Sequence, residues 1–380
     1  MHYKIFLDTN IYDASNYSFR NGLFSQLKEY AVSDYLELQI NSVVKGEVER
    51  HIKKTIKAAA KDLNAMLTSH KLALFRTLPK YDKQMTIFKP DAWVKDAIDE
   101  FHDFLSVCKC EEISCNGIDV EGILRDYFNL SYPFEESKKD EFPDAIAVAS
   151  IIQEINKLSS NNVFKDYKNS DGISDDLLYC VVSADNGFTV AIQGSLQRPN
   201  EDVKYFASLN ELVNFIVVQD ENAAKLQERL EQGFAKDIIE GSIRTVAEEA
   251  CFIVDDPDGL AEDVYFVDAD NINYYPYLVS LQKMSEGHSV ARVYIEASFD
   301  VELDYEYLNE NESYWDKEER RYLWKVVTEK VARYEARTEL SISVIIDEEG
   351  NPEFNDYIEM PQNIDVDDED LIEVLSVKEK

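Results

Sequence analysis

MHYKIFLDTN (residues 1–10) opens on a short strand that runs straight into an acid, Asp8, and then into small polar residues. A carboxylate in that place serves as a helix cap, a metal ligand, a phosphoryl acceptor or nothing in particular, and the rest of the chain decides among these. Three further stretches bear on it. LELQINSVVKGEV (36–48) begins as a strand and turns helical near Ser42, with Glu47 one turn in. PDAIAVASIIQEINKL (143–158) is the clearest helix in the chain, with proline ahead of Asp144 and one apolar side. LLYCVVSAD (177–185) is a continuous apolar run ending on Asp185, the pattern of a strand buried on both faces.

Strands alternating with helices over residues 1–219 predict an α/β domain with a parallel sheet. Helices are expected at 21–31, 91–108 and 119–129, and loops around Pro79, Pro90 and the cysteine-bearing 108–117. From about 222 the texture changes. NAAKLQERLEQGFAKDIIEGSIRTVAEEA (222–250) reads as one or two helices, and VARVYIEASFDVEL (290–303) alternates with period 2, so antiparallel strands follow. DEEGNPEF (347–354) predicts a hairpin return, and DVDDEDLIE (365–373) an acidic tail. The expected layout is therefore an α/β domain over 1–219 and an acidic, β-rich α+β domain over 220–380.

Composition narrows the class. Of 380 residues 45% are hydrophobic and 12% aromatic, enough to bury a core, and the length suits two domains. No run approaches the ~18 apolar residues of a membrane span. The start lacks a secretory layout, and five cysteines read as reduced thiols, so a cytoplasmic setting is expected. The net charge of −36 is uneven: residues 1–219 carry −9 and residues 220–380 carry −27. Such charge opposes nonspecific binding of polyanions unless cations or a local basic patch intervene.

In an open parallel sheet the carboxyl ends of the strands share one edge, and the helices that follow open onto it. Asp8, Glu47, Asp144 and Asp185 are thereby expected to converge. Clustered carboxylates need protons or cations at neutral pH, and hard divalent ions with oxygen ligands, Mg²⁺ or Mn²⁺, are their natural partners.

FLDTNI (6–11), SVVKGE (42–47), EFPDAIAVASI (141–151) and VVSADNGF (181–188), in that order, resemble the four motifs of PIN-domain nucleases. The likeness is to the larger branch of that family, which carries a helical insertion, here about 62–140, and it covers residues 1–219. It implies a three-layer α/β/α fold and metal-dependent cleavage of RNA, usually single-stranded, with water as nucleophile. It makes Asp8, Glu47, Asp144 and Asp185 the metal-binding acids, with Thr9 and Asn10 supporting Asp8 and Ser42 and Ser183 orienting the cluster. Asp140 and Glu141, close to Asp144, are alternative ligands, and Glu49 competes with Glu47.

Each of these residues also has a plainer role. Asp8 suits the N-cap of a helix starting at Thr9, and Asp144 suits a helix start through the dipole. Lys53, Lys57 and Lys61 share one helix face, either as a solvated stripe or as a rail for phosphates beside the acids. His102, Cys108, Cys110 and Cys115 match no common zinc spacing and read as buried thiols with a remote histidine.

Three function classes follow. The leading one is a metal-dependent endoribonuclease acting on single-stranded RNA, in the role of a toxin or antiphage effector, with the acidic domain as self-inhibitor or regulatory-protein site. DNA in place of RNA is its nearest variant. The second is an aspartyl phosphotransferase, disfavoured because position 10 is Asn. The third is a catalytically inert PIN-like binding module. Oligomeric state is left open.

Overall fold

The computed structural model describes residues 1–68, 90–134, 141–165, 167–168, 174–196, 201–256, 259–283, 288–308, 313–316, 321–324, 326–347 and 349–379. The chain divides into two compact units, Met1–Val213 and Asn214–Lys380.

The first unit is built on a five-stranded parallel sheet in the order β3-β2-β1-β6-β7. Its strands are β1 (His2–Leu7), β2 (Leu36–Asn41), β3 (Glu111–Ile113), β6 (Leu177–Val182) and β7 (Val203–Phe206). A two-residue pair, β4 (Tyr167–Lys168) and β5 (Ser174–Asp175), stands apart from it. Every residue of β1 and of β6 is buried, as expected of central strands covered on both faces. Helices flank the sheet: α1 (Thr9–Ala14), α2 (Gly22–Val32), α3 (Ser42–Thr68), α4 (Pro90–Val107), α5 (Val120–Asn129), α6 (Phe142–Ser160), α7 (Asn186–Ser195) and α8 (Leu209–Val217). This is a PIN-like α/β/α arrangement.

Segment 108–117, expected as loop, contains strand β3. Glu-Glu-Ile has little strand propensity, so the reason lies in tertiary structure. Backbone pairing with β2 is reinforced by Glu111, whose carboxylate accepts from Lys4 Nζ at 2.9 Å and Gln39 Nε2 at 3.4 Å. Lys4 is itself buried and pairs with Glu37 on the neighbouring strand. Burial works against its charge, but the two carboxylates more than offset that, and its pKa is raised.

The insertion is fastened by aromatic rings. Phe101 and Phe104 of α4 pack with Tyr12, Phe19 and Phe24, with ring centroids 5.0–5.7 Å apart from Phe24 to Phe104, Phe19 to Phe101 and Tyr12 to Phe24. All five rings are almost fully buried. Within the expected insertion, 69–89 and 135–140 lie outside the described residues, and with them Pro79 and Asp140.

The second unit begins with helices α9 (Glu221–Glu231) and α10 (Lys236–Glu249). Its sheet follows the order β14-β13-β10-β9-β8-β15, and β16 also pairs with β13. These strands are β8 (Cys251–Asp256), β9 (Gly259–Lys283), β10 (Ser289–Leu308), β13 (Val327–Ile346), β14 (Pro352–Glu359), β15 (Asn363–Val366) and β16 (Leu371–Glu379). A short pair, β11 (Tyr314–Asp316) and β12 (Arg321–Trp324), stands apart. Alternate residues of β10 and β13 are buried, among them Val293, Ile295, Phe299, Leu340 and Ile342. β9 is longer than the sequence suggests, because pairing with β10 continues across register shifts that bend it. Pro276 interrupts its donors, and the buried amide of Gln227 on α9 stands in for a neighbouring strand. It accepts from Leu278 N at 2.8 Å and donates to Pro276 O at 2.9 Å. The expected acidic tail is instead β15, a turn and β16. Its charges alternate with Ile364, Val366, Leu371 and Val374, which gives it strand character.

Truncating the central ring of the insertion's anchor tests the packing. Phe101→Ala is expected to lower the stability of the first unit by about 3–5 kcal/mol, read as a shift of its transition in chemical denaturation, with the second unit's transition unmoved.

Candidate functional site

Strands β1 and β6 pair in register from His2↔Leu177 to Leu7↔Val182. Asp8 follows the last residue of β1, and its backbone N–H donates to Val182 O at 3.0 Å. Asp185 lies just beyond β6, so both acids leave the same edge of the sheet. At β1 the strand order also reverses, with β2 and β3 on one side and β6 and β7 on the other. Crevices in open α/β sheets form at such switch points.

Asp8 is only 7% exposed, and its carboxylate is met by donors on all sides. Oδ1 accepts from Thr9 N at 2.7 Å, which caps α1. Oδ2 accepts from Ser183 Oγ at 2.6 Å and Asn10 Nδ2 at 2.8 Å. Ser183 Oγ in turn accepts from Asp185 N at 3.1 Å, and Asn10 Oδ1 from Ala184 N at 3.2 Å. One net of hydrogen bonds therefore joins the ends of β1 and β6. On α3, Glu47 Oε2 accepts from Thr9 Oγ1 at 3.0 Å, and Arg50 lies 3.4 Å from Oε1. Asp185 caps α7 by accepting from Gly187 N at 2.7 Å through Oδ1. Asp144 sits in the first turn of α6, whose start carries Pro143.

The four acids feel one another. Burial raises the pKa of Asp8; the hydrogen bonds from Ser183 and Thr9 oppose this, and the charges of Glu47 and Asp185 add to it. Asp144 is raised by burial, by a hydrogen bond with Glu141, and by the charges of Asp8, Glu141 and Glu47. Among the described residues no group of three or more acid, imidazole or thiol side chains already surrounds one point closely enough to hold a metal ion. The donor set is nonetheless all oxygen and anionic, and its mutual repulsion is what a hard divalent cation relieves.

Other expected residues fall differently. Thr9, Asn10 and Ser183 stand with Asp8, but Ser42 does not reach the acids: it is exposed, with its Oγ 3.6 Å from Cys115 Sγ. Asn41 occupies the helix-capping role there, accepting from Val44 N at 2.8 Å and donating to Ser150 Oγ at 2.9 Å. Glu49 lies 2.8 Å from His102 Nε2, whereas the Thr9 hydroxyl donates to Glu47. Glu141 touches Asp144. Lys53, Lys57 and Lys61 are exposed, and Lys57 lies 3.6 Å from Asp91. Burial pushes the thiols of Cys108 and Cys110 up to about 12, which makes them inert.

Two contacts were not anticipated from the sequence. His51 Nδ1 lies 2.9 Å from Asp13 Oδ2, one turn beyond the Thr9–Glu47 bond on the same two helices. Their i+4 spacing from Thr9 and Glu47 is the only hint. Tyr132 Oη donates to Asp185 Oδ2 at 3.1 Å from 53 residues away.

Residues 5–177 match the family model described as PIN domain. Over that stretch the N-terminal region matches the PIN-domain family, in keeping with its parallel sheet and flanking helices. The match ends ahead of Asp185, whose place in the site rests on the sheet edge described above. Comparison with curated proteins and with solved structures returned no match. Among the described residues no helix is long and apolar enough to cross a membrane.

Raised carboxylate pKa values have a thermodynamic sign. Between the ordinary carboxylate range near ~4 and the raised folded values, the folded chain holds protons that the unfolded chain has released. Stability is therefore greatest below that range and falls as pH rises through it. In metal-free protein Asp144→Asn is expected to flatten this fall and to melt about 2–4 °C above wild type near pH 8. Scanning calorimetry from mildly acid to mildly alkaline pH measures it; parallel curves for the two proteins would contradict it.

Proposed function

We propose that the protein is a metal-dependent endoribonuclease that hydrolyses phosphodiester bonds of single-stranded RNA at the Asp8, Glu47, Asp144 and Asp185 edge. The observation that supports this reading is the hydrogen-bond net through Thr9, Asn10 and Ser183 that joins Asp8, Glu47 and Asp185 at the switch point of the sheet, in the region that matches a PIN domain. A purely structural cluster of this kind would destabilise the fold without return.

The four carboxylates would hold Mg²⁺ or Mn²⁺, which when bound supplies charge neutralisation and activates water for in-line attack on phosphorus. The chain's own residues fix the carboxylates. Thr9 N–H, Asn10 and Ser183 leave Asp8 a single orientation, and the Thr9 hydroxyl ties Glu47 to the same helix start. The products are a 5′-phosphate and a 3′-hydroxyl, and no covalent enzyme intermediate is needed. Lys53, Lys57 and Lys61 form the rail along which the RNA backbone approaches, offsetting the front unit's negative charge. In the wider reading the protein is a cytoplasmic toxin or antiphage effector. Its acidic C-terminal unit restrains the nuclease or takes a regulatory protein.

The test is incubation of the full chain with labelled single-stranded RNA and DNA in Mn²⁺, Mg²⁺ or EDTA, beside Asp8→Asn. RNA cleavage that needs the metal is expected. The variant should lose more than the 10–100-fold typical of an outer hydrogen-bond partner, that is over about 100-fold. Cleavage in EDTA, or an unimpaired Asp8→Asn, would refute the reading.

A further inference from the structure

Within the insertion, residues 131–134 form a short arm that follows α5. Helix α5 closes at Leu130 in the left-handed region, φ 52°, and Ser131 N turns back to Asp126 O at 2.9 Å. Phe134 N then bonds Ser131 O at 2.9 Å, making a tight turn. The Phe134 ring is fully buried in a small apolar cluster with Ile123 of α5 and Ala145 of α6. It packs on Tyr127 at 5.4 Å and on Phe142 at 4.8 Å between centroids. Phe142 and Ala145 flank Asp144, so the arm is anchored at the helix start that carries one of the acids.

Two residues before that anchor, Tyr132 reaches another. Its hydroxyl donates to Asp185 Oδ2 at 3.1 Å, while Asp185 Oδ1 is taken by Gly187 N. The ring lies where a side chain at position 187 would be. A Cβ on Gly187 would come within 2.3 and 2.6 Å of the Tyr132 ring carbons Cε2 and Cδ2. Glycine is therefore required there by close approach, an observation independent of the hydrogen bond.

We propose that Tyr132 is a positioning residue for Asp185, delivered by the 131–134 arm and received in the slot left by Gly187. The inference rests on the reading of the carboxylates as a metal site. With both oxygens of Asp185 engaged, its side chain has one orientation before any cation arrives. A neutral phenol suits the task, because it orients the carboxylate and leaves its negative charge in place for the cation, which an arginine or lysine would cancel. A tyrosine hydroxyl is protonated at neutral pH, so it donates.

The experiment is direct Mn²⁺ binding to the full chain, followed by the electron paramagnetic resonance signal of free Mn²⁺. Wild type, Tyr132→Phe, Gly187→Ala and the double variant are compared. Tyr132→Phe keeps the ring and removes only the donor, and should weaken binding by about 10-fold or more. Gly187→Ala should weaken it too, by displacing the ring. The double variant should be no weaker than the worse single one, since both break one contact. The metal-free melting temperature of Tyr132→Phe should stay within about 2 °C of wild type. Unchanged affinity in both single variants, with wild type binding normally, would overturn the role of Tyr132 and leave the metal-site reading intact. A Tyr132→Phe protein that loses affinity only in step with a large drop in melting temperature would also overturn it, by showing a support for the fold. Wild type that binds no Mn²⁺ would end both.

Discussion

The buried carboxylate of Asp8 is the constraint on which the site depends. An anion taken from water needs donors, and here they come from Thr9, Asn10 and Ser183 at the ends of two neighbouring strands. Ser183 gives its proton to Asp8 and receives those of Asp185 N and Asn10, so satisfying one acid also sets the backbone of the next. Thr9 acts at both ends as well, with its amide on Asp8 and its hydroxyl on Glu47. Three of the four acids are therefore positioned by the hydrogen bonding that makes Asp8 tolerable. The fourth, Asp144, enters from a helix start, and its pKa is raised by burial, by its hydrogen bond with Glu141 and by the charges of Asp8, Glu141 and Glu47.

At this edge capping and the proposed chemistry draw on the same residues. Asp8 caps α1 and Asp185 caps α7, as residues of that type do at any helix start. The cap uses one oxygen of each, while the other accepts from Ser183 and Asn10 in Asp8 and from Tyr132 in Asp185. A parallel sheet places the ends of β1 and β6 side by side, so two ordinary caps become neighbours. The plainer reading of Asp8 and the chemical one are not rivals.

Much of this was legible in the chain. Apolar runs that end on Asp8 and Asp185 announce buried strands and their edge, because continuous burial and a terminal acid are local patterns. The proline before Asp144 marks a helix start in the same way. Tertiary contacts left no such mark. Strand β3 exists because Lys4 and Gln39 hold Glu111 beside β2, and nothing in Glu-Glu-Ile declares it. Ser42 has the right spacing to serve Glu47, yet Asn41 takes the cap and leaves Ser42 facing solvent. The bond between Tyr132 and Asp185 depends on Phe134 finding Phe142, two aromatic residues among many in the sequence. The acidic stretch after 362 illustrates a different failure: charge density suggested a tail, while the alternation beneath it made strands.

The charge distribution bears on how a polyanion could reach such an edge. The front region carries −9 and the site concentrates part of that charge, so an approaching phosphate backbone is repelled at long range. Screening shortens that repulsion to about 8 Å at physiological ionic strength, roughly the reach of one helical turn and a half. Inside that distance local sign matters more than net charge. Lys53, Lys57 and Lys61 supply the local sign on the helix that also carries Glu47, about 9 Å of axial rise from Glu47 to Lys53 at 1.5 Å per residue. Asp91 lies 3.6 Å from Lys57, so the proposed rail would be partly neutralised in the free protein. A polyanion would have to displace that carboxylate, and an exposed ion pair of this kind is weak enough to exchange. On the proposed reading, binding along α3 should for that reason depend steeply on salt, and cleavage at the acids beyond it on divalent cations.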